Sequence, residues 1–284
     1  GAHIHTPGAL GLFCKFARAP AVSASRDSEE VVRCIAPASS SGPGKMAVRL
    51  INNDAVYTAS VAFEYLPVAS VSSLDPVVGL LAGSTQLRVR GAGFLPTVAA
   101  LCRIGALHVV VARVVSSTLL ECETPAHTHP QLVGVEVSLN GVDYGDDGVL
   151  FEYQAAAHIA ELSPSKGPSE GGTMVNATGS SFAARSAALG YLRARFGAVT
   201  VPVVWVSTTE LHLSAPAHAA ALVVVELTLN DQQYTDDGVH FEYEAVLLHT
   251  IEPRTGPVRG GTAVTLRGAH IHTPGALGLF CKFA

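Results

Sequence analysis

The sequence predicts an all-β protein built from tandem antiparallel β-sandwiches stacked end to end as a rod. Three observations carry that expectation. Apolar runs such as LHVVVARVV (107–115) and AALVVVELTL (220–229) are short and β-branched, which suits strands rather than helices. Turn signals recur between them at the spacing typical of sandwiches. The same ordered set of motifs also returns along the chain, the mark of a repeat architecture.

The repeats can be read in order. Each unit opens with a Pro-containing turn, a Gly-rich turn and an alternating strand, then a Gly placed shortly before an apolar residue. This is VSSLDPVVGLLAGSTQLRVRGAGF (71–94), LSPSKGPSEGGTMVNATGSSF (162–182) and IEPRTGPVRGGTAVTLRGAHI (251–271). Each unit closes with an Asn turn, a Tyr and a strand ending Phe-Glu-Tyr: NDAVYTASVAFEY (53–65), NGVDYGDDGVLFEY (140–153) and NDQQYTDDGVHFEY (230–243). In these closing strands Phe151 and Glu152 point to opposite faces. The stretch 183–194 has some helical spacing but stands where the other units carry a shorter loop, so a loop with about one helical turn is expected. The last closing-strand residue runs almost directly into the next unit, as in Tyr153-Gln154-Ala155-Ala156. Flexible tethers are longer and Gly/Ser-rich, so a stiff array is expected, each unit touching its neighbours.

The first 17 residues, GAHIHTPGALGLFCKFA, return without a mismatch as residues 268–284, an offset of 267. Two whole units and one divided unit, about 89 residues each, fill that period. The division is therefore 1–67, the C-terminal part of a split domain; 68–154; 155–244; and 245–284, the N-terminal part of the next split domain, with 268–284 duplicating 1–17. On this reading neither end of the chain is a natural terminus, and no signal peptide is read at its start.

Composition narrows the function classes. Hydrophobic residues make up 48% of the 284 positions and charged residues only 14%, with a net charge of -5. That balance suits packed cores and a surface covered by glycans or neighbouring units. No basic stripe of the kind that binds nucleic acid is present, and no apolar run is long enough to span a membrane. Nucleophile elbow, HExxH and phosphate-loop patterns are missing from the sequence, and the Gly-Gly turns precede strands rather than helices. A non-enzyme without cofactor is expected.

Taken together, the opening motif, Arg-Phe-Gly at 195–197, Cys102 and Cys122, Thr-Pro at 124–125 and the closing strand resemble the IPT/TIG domain. The resemblance runs over essentially the whole chain. It implies immunoglobulin-like sandwiches used as extracellular modules of surface receptors, adhesins and large surface proteins, and hence an extracellular or cell-surface location. Fold alone does not assign function.

Cys14 and Cys34 are 20 residues apart, and so are Cys102 and Cys122 at the same repeat positions. The positions that align with them in the remaining unit are Ala194 and Leu213. Joint loss is how a bonded pair behaves, so disulfides Cys14–Cys34 and Cys102–Cys122 are expected, in an oxidising compartment; four reduced, buried cysteines are the alternative. Cys281 is the copy of Cys14.

Asn176-Ala177-Thr178 is the only glycosylation sequon, and Ser/Thr/Pro clusters at 39–43 and 6–8 read as plain loops. The pairs His3/His5, His270/His272 and His127/His129 lack a third and fourth ligand at metal-site spacing. Asp146-Asp147-Gly148 and Asp236-Asp237-Gly238 offer too few oxygens for Ca²⁺ and read as solvated turns, so no metal site is expected.

The leading functional expectation is one structural period of a long extracellular filament, fibril or stalk. Its partner is the chain itself, continuing head to tail through the split domain, with glycans as a further possibility and neither nucleic acid nor a membrane span involved. The alternative is an adhesin or receptor ectodomain that binds protein or glycan through sandwich loops.

Overall fold

A computed structural model describes residues 11–52, 55–57, 59–271 and 281–283. Strands dominate throughout, and the single helix among the described residues is the five-residue Ala184–Ala188, where the sequence predicts one helical turn. No helix of the described residues is long and apolar enough to cross a membrane.

Two sandwiches are complete. In the first, strands Leu101–Ile104, His108–Val111, Gln131–Ser138, Leu150–Gln154 and Val78–Leu80 form one sheet; Ser70–Asp75, Gln86–Ala92, Arg113–Ser116 and Leu119–Glu123 form the other. Alternation places Val71, Leu87, Val89, Leu120, Val135 and Phe151 between them, all buried. In the second, the strand Val199–Ser207 is long enough to pair with both Arg193–Phe196 and Glu210–Ser214, so the two layers join as one eight-stranded sheet. Ile159, Val175, Leu211, Val225 and Phe241 fill its core. Trp205 packs against that core and donates its indole N–H to the Phe182 carbonyl (2.9 Å).

The repeat motifs have local causes. The Gly of each opening strand (Gly91, Gly179, Gly268) lies where a Cβ would run into the carbonyl oxygen of Ser70, His158 or Leu247 on the neighbouring strand. The Gly-rich turns hold Gly83, Gly171 and Gly260 at φ of +79°, +77° and +76°, a region costly for other residues. The second Asp of each Asp-Asp-Gly does more than face solvent. Asp147 accepts the N–H of Val71 and Asp237 that of Ile159, each at 2.8 Å, tying the closing turn to the first strand of its own sandwich.

Towards each end the described residues form a single sheet. Residues 11–65 make one six-stranded sheet in which Leu12–Phe16, Val22–Arg26, Val32–Cys34, Gly44–Asn52, Ala55–Val56 and Val61–Tyr65 take part. At the other end, Leu247–Glu252 and Thr265–Ala269 form a two-stranded hairpin. Its register, Leu247↔Ala269 to Glu252↔Thr265 with one shift, matches that of Ser70–Asp75 against Gln86–Ala92. The hairpin therefore has the form of the first two strands of a sandwich, and the six-stranded sheet has the form of the rest.

Burial separates the two sandwiches from the two end sheets. Phe151 and Phe241 are both 0% exposed, whereas Phe63, at the same place in the closing strand, is 39% exposed. Val71 is 5% exposed and its hairpin counterpart Leu248 60%. Ile271 stands where Phe94 and Phe182 enter their cores, but it too is exposed, because among the described residues no second sheet packs against the hairpin. His3, His5 and His272 lie outside the described residues. His270 approaches Glu244, with Nδ1 3.1 Å from Oε1.

Candidate functional site: the junctions between sandwiches

The most developed site joins the units 68–154 and 155–244. It begins with a turn that the sequence repeats. Asn230 Oδ1 accepts the N–H groups of Gln232 (3.1 Å) and Gln233 (3.0 Å), which folds the turn in the manner of an Asx motif. The folded turn presents two glutamine side chains to the Gly83–Gln86 turn of the preceding unit. Gln232 accepts from the Gln86 N–H and donates to the Gln86 carbonyl, both at 2.9 Å. Gln233 donates to the Gly83 carbonyl at 2.8 Å. The Thr85 hydroxyl donates to Gln233 Oε1 (3.0 Å) and accepts from Asn230 Nδ2 (3.2 Å). Asn230 and Thr85 are both buried, so these hydrogen bonds are shielded from water and costly to leave unmade.

Three further contacts surround the linker. Leu80 packs against the core of the following sandwich. Ser186 donates to Gln154 Oε1 at 2.8 Å, and Arg185 pairs with Glu152 at 2.9 Å, so the short helix clasps the closing strand of the unit before it. The Tyr191 hydroxyl donates to Asp75 Oδ1 at 3.1 Å; burial first, and then this carboxylate, raise its pKa.

The corresponding junction between the six-stranded sheet and unit 68–154 is open. Asn140 folds the same turn, accepting from Val142 (3.0 Å) and Asp143 (2.9 Å) and donating to Asp143 Oδ2 (2.8 Å). Here no Gly-Thr turn of the described residues faces it, and Asn140, Val142 and Asp143 are exposed. A cavity of about 440 Å³ lies alongside, lined by Leu66, Leu139, Asn140, Asp143, Tyr144 and others. A groove of about 840 Å³ runs over the inner face of the six-stranded sheet, lined by Phe16, Val32, Ile35, Val48 and Phe63 among others.

The remaining sequence-predicted residues fall as follows. Disulfides join Cys14 to Cys34 and Cys102 to Cys122, with Cα separations of 6.3 and 6.5 Å. Ala194 and Leu213 replace the pair in the third position and are buried in its core. Cys281 is free and exposed. Asn176 sits mid-strand, opposite Ser163 on one side and His212 on the other, and donates to Glu210 Oε1 at 3.0 Å. His127 stacks on Tyr153 (4.7 Å) and His218 on Tyr243 (5.0 Å). Burial pushes both tyrosine hydroxyls up to about 12. Among the described residues no three His, Cys, Asp or Glu side chains converge as metal ligands. The junction residues Thr85, Asn230, Gln232 and Gln233 are not singled out by sequence reasoning. The signal available was Gln-Gln in NDQQY where the neighbouring repeat has Val-Asp.

Comparison with known proteins decides the family. The IPT/TIG domain profile matches residues 69–153 and 157–243, more than half of the chain. The chain belongs to the IPT/TIG domain family. Among curated proteins, this IPT/TIG chain is 36% identical to mouse (Mus musculus) fibrocystin-L over 129 residues, 44% of the chain and 3% of that protein. It is 28% identical to human (Homo sapiens) plexin-B3 over 128 residues, 44% of the chain and 7% of that protein. The chain thus spans only a small part of the relatives it matches. Of solved structures, the full extracellular region of plexin A4 aligns over 92% of the chain and 28% of its own length, at 16% identity and a TM-score of 0.47.

Proposed function

We propose that the chain is one period of a covalently continuous, rod-like array of IPT/TIG sandwiches in an extracellular or cell-surface protein, with a structural rather than catalytic role. The hairpin 247–269 of one period supplies the first two strands of a sandwich whose other strands are residues 11–65 of the next. The observation that carries this reading is the fit between the two unfinished ends. The hairpin has the register of a finished unit's opening pair, and residues 268–284 repeat 1–17.

Equivalent positions specify the assembled sandwich. In unit 68–154 the strand Leu119–Glu123 pairs with Gln86–Ala92, Cys122 opposite Leu87 and Glu121 opposite Arg88. Transferred to the split unit, Cys34 lies opposite Val264 and Arg33 opposite Thr265. Leu248, Ile251 and Leu266 then cover the groove that Phe63 and Val48 line. Each such side chain, once buried, contributes about 1.5–3 kcal/mol. Separate subunits would place residues 1–17 and 268–284 in competition for one position, which favours a continuous polypeptide. A glycan at Asn176 belongs to this proposal and, given the paired strand, is attached before the sheet closes.

The denatured, reduced mass of the polypeptide from its native source tests continuity. A mass several times 29.4 kDa supports it. A mass near that value overturns it and leaves head-to-tail subunits. The second reading is an adhesin or receptor ectodomain, favoured by the similarity to plexin-B3, in which sandwich loops bind protein or glycan.

A further inference from the structure

The filled junction relies on one buried hydroxyl. Thr85 Oγ1 is fully buried and makes two hydrogen bonds, to Gln233 and from Asn230, on the following unit. Strand register places Thr173 and Thr262 at the same point of the two other opening motifs, because Asp75↔Arg88, Ser163↔Asn176 and Glu252↔Thr265 are equivalent pairs. The surroundings repeat as well: a Cβ at Gly79, Gly167 or Gly256 would meet the hydroxyl of Thr85, Thr173 or Thr262 in turn.

These two other threonines lack what Thr85 has. Thr173 is 7% exposed, and its hydroxyl is buried without a hydrogen-bond partner among the described residues. A buried, unpaired hydroxyl carries a penalty of about 1–3 kcal/mol. Thr262 is exposed. At the far end of the period, Asn140 and Asp143 repeat the internal geometry of Asn230 and Gln233, each Asn amide donating to the side chain three residues on. They line the open cavity beside Leu66 and Tyr144. The exposed Thr262 hydroxyl and an amide–carboxylate pair spaced as Asn230 and Gln233 are thus both present, and unengaged with each other, in the same chain.

We infer that the open cavity is the seat of the Pro257–Thr262 turn of the preceding period, and that its Thr262 hydroxyl donates to Asp143 while accepting from Asn140. Two of the three junctions of the period are then closed by the same lock, a threonine of one sandwich held by the Asn turn of the next; the segment 53–57 carries Val56 at the position of Gln233 and Asp143 and supplies no side-chain acceptor for Thr173. The occupant is the chain's own repeat. Where unit 155–244 uses Gln233, unit 68–154 uses the Asp143 carboxylate, and a charged acceptor strengthens a hydrogen bond. Pro257 occupies the position that Leu80 fills in the closed junction, pairing parallel to the closing strand, and covers Leu66 and Leu139. The lock rests on the array reading above, since it needs the hairpin of one period beside the sheet of the next.

The test uses the full 284-residue chain extended at Ala284 by a second copy of residues 18–284, so that one split sandwich is completed within the polypeptide. Hydrogen exchange at the Thr265–Ala269 amides of the first copy reads the opening of that sandwich. Thr262→Val in the first copy keeps shape and removes the hydroxyl; Asp143→Ala in the second copy removes its acceptor. Each lowers protection about fivefold, the equivalent of one hydrogen bond, and the double variant lowers it no further than the larger single effect. If the two effects multiply, or if Thr262→Val changes nothing, the lock is wrong while the completed sandwich stands. If those amides are unprotected in the unmodified extended chain, the sandwich is not completed, and both the lock and the array reading fall.

Discussion

The two junctions within this chain are built from one plan, but only one is filled. Between units 68–154 and 155–244, a Gly-Thr turn meets an Asn turn, and Asn230 is 1% exposed. Between the six-stranded sheet and unit 68–154, the same Asn turn faces a cavity of about 440 Å³. The filled junction is what two complete sandwiches produce. The open one lies beside a single sheet, and under the array proposed above the hairpin at the other end supplies the two strands that complete it. In the filled junction a linker of a few residues is held by polar contacts on one side and by Leu80, Ser186, Arg185 and Tyr191 on the other.

The comparison can be broken or sharpened in four ways. The largest effect is expected from filling the open side. Extending the chain by a second copy buries the exposed Phe63, Val61 and Leu248 and the half-buried Ile251, at up to about 1.5–3 kcal/mol each. Calorimetry is expected to show an added cooperative transition of one sandwich, and binding of a hydrophobic dye is expected to fall; dye binding that doubles with length contradicts the account. Next is the disulfide. Cys102→Ala with Cys122→Ala destabilises unit 68–154 by about 3 kcal/mol, the entropy of a loop of this length. Unit 155–244, which packs Ala194 and Leu213 instead, holds its transition under reducing conditions.

Third, Gln232→Ala with Gln233→Ala removes the side chains that grip Gln86 and Gly83. It also leaves Thr85 short of an acceptor. A loss of about 2 kcal/mol in coupling between the two units is expected, read as their separation into independent unfolding transitions. Thr85→Val shares in that loss, whereas Thr173→Val in the unextended chain stabilises its unit by about 1–3 kcal/mol, because it removes a buried hydroxyl that has no partner among the described residues. The smallest effect concerns alkaline pH. Tyr153 and Tyr243 have hydroxyls raised to about 12 by burial, so the folded state holds their protons above the ordinary tyrosine value of about 10. Their contribution is complete below pH ~10 and is lost as pH rises from there through about 12. Phenolate absorbance is expected to appear late for these two tyrosines, together with falling stability.

The repeats made the fold legible. Phe-Glu-Tyr closing strands, Gly-rich turns and the cysteine spacing each depend on contacts inside one unit, and these return the same or an equivalent residue at the same place, with Gly83-Ser84 for Gly-Gly and Ala194 with Leu213 for the cysteine pair. The Gly at 91, 179 and 268 is legible for that reason: backbone of the adjacent strand occupies the space a Cβ would need. The junction was less legible because it joins residues 146 apart in sequence, such as Gln86 and Gln232, and because polar residues on a turn look alike whether they face water or a neighbour. The Asp-Asp-Gly turns show the same difficulty. Their second carboxylate reads as a solvated charge, yet Asp147 and Asp237 hold the first strand's N–H through contacts 76 and 78 residues long.

The measurement that bears most directly on the central claim is hydrogen exchange at two strand edges, Val32–Cys34 and Thr265–Ala269, compared between the 284-residue chain and the chain extended by a second copy. The account predicts that these amides exchange rapidly in the single chain and become protected together in the extended one, where the hairpin and the sheet complete a sandwich across the period. Equal and rapid exchange in both chains would contradict it.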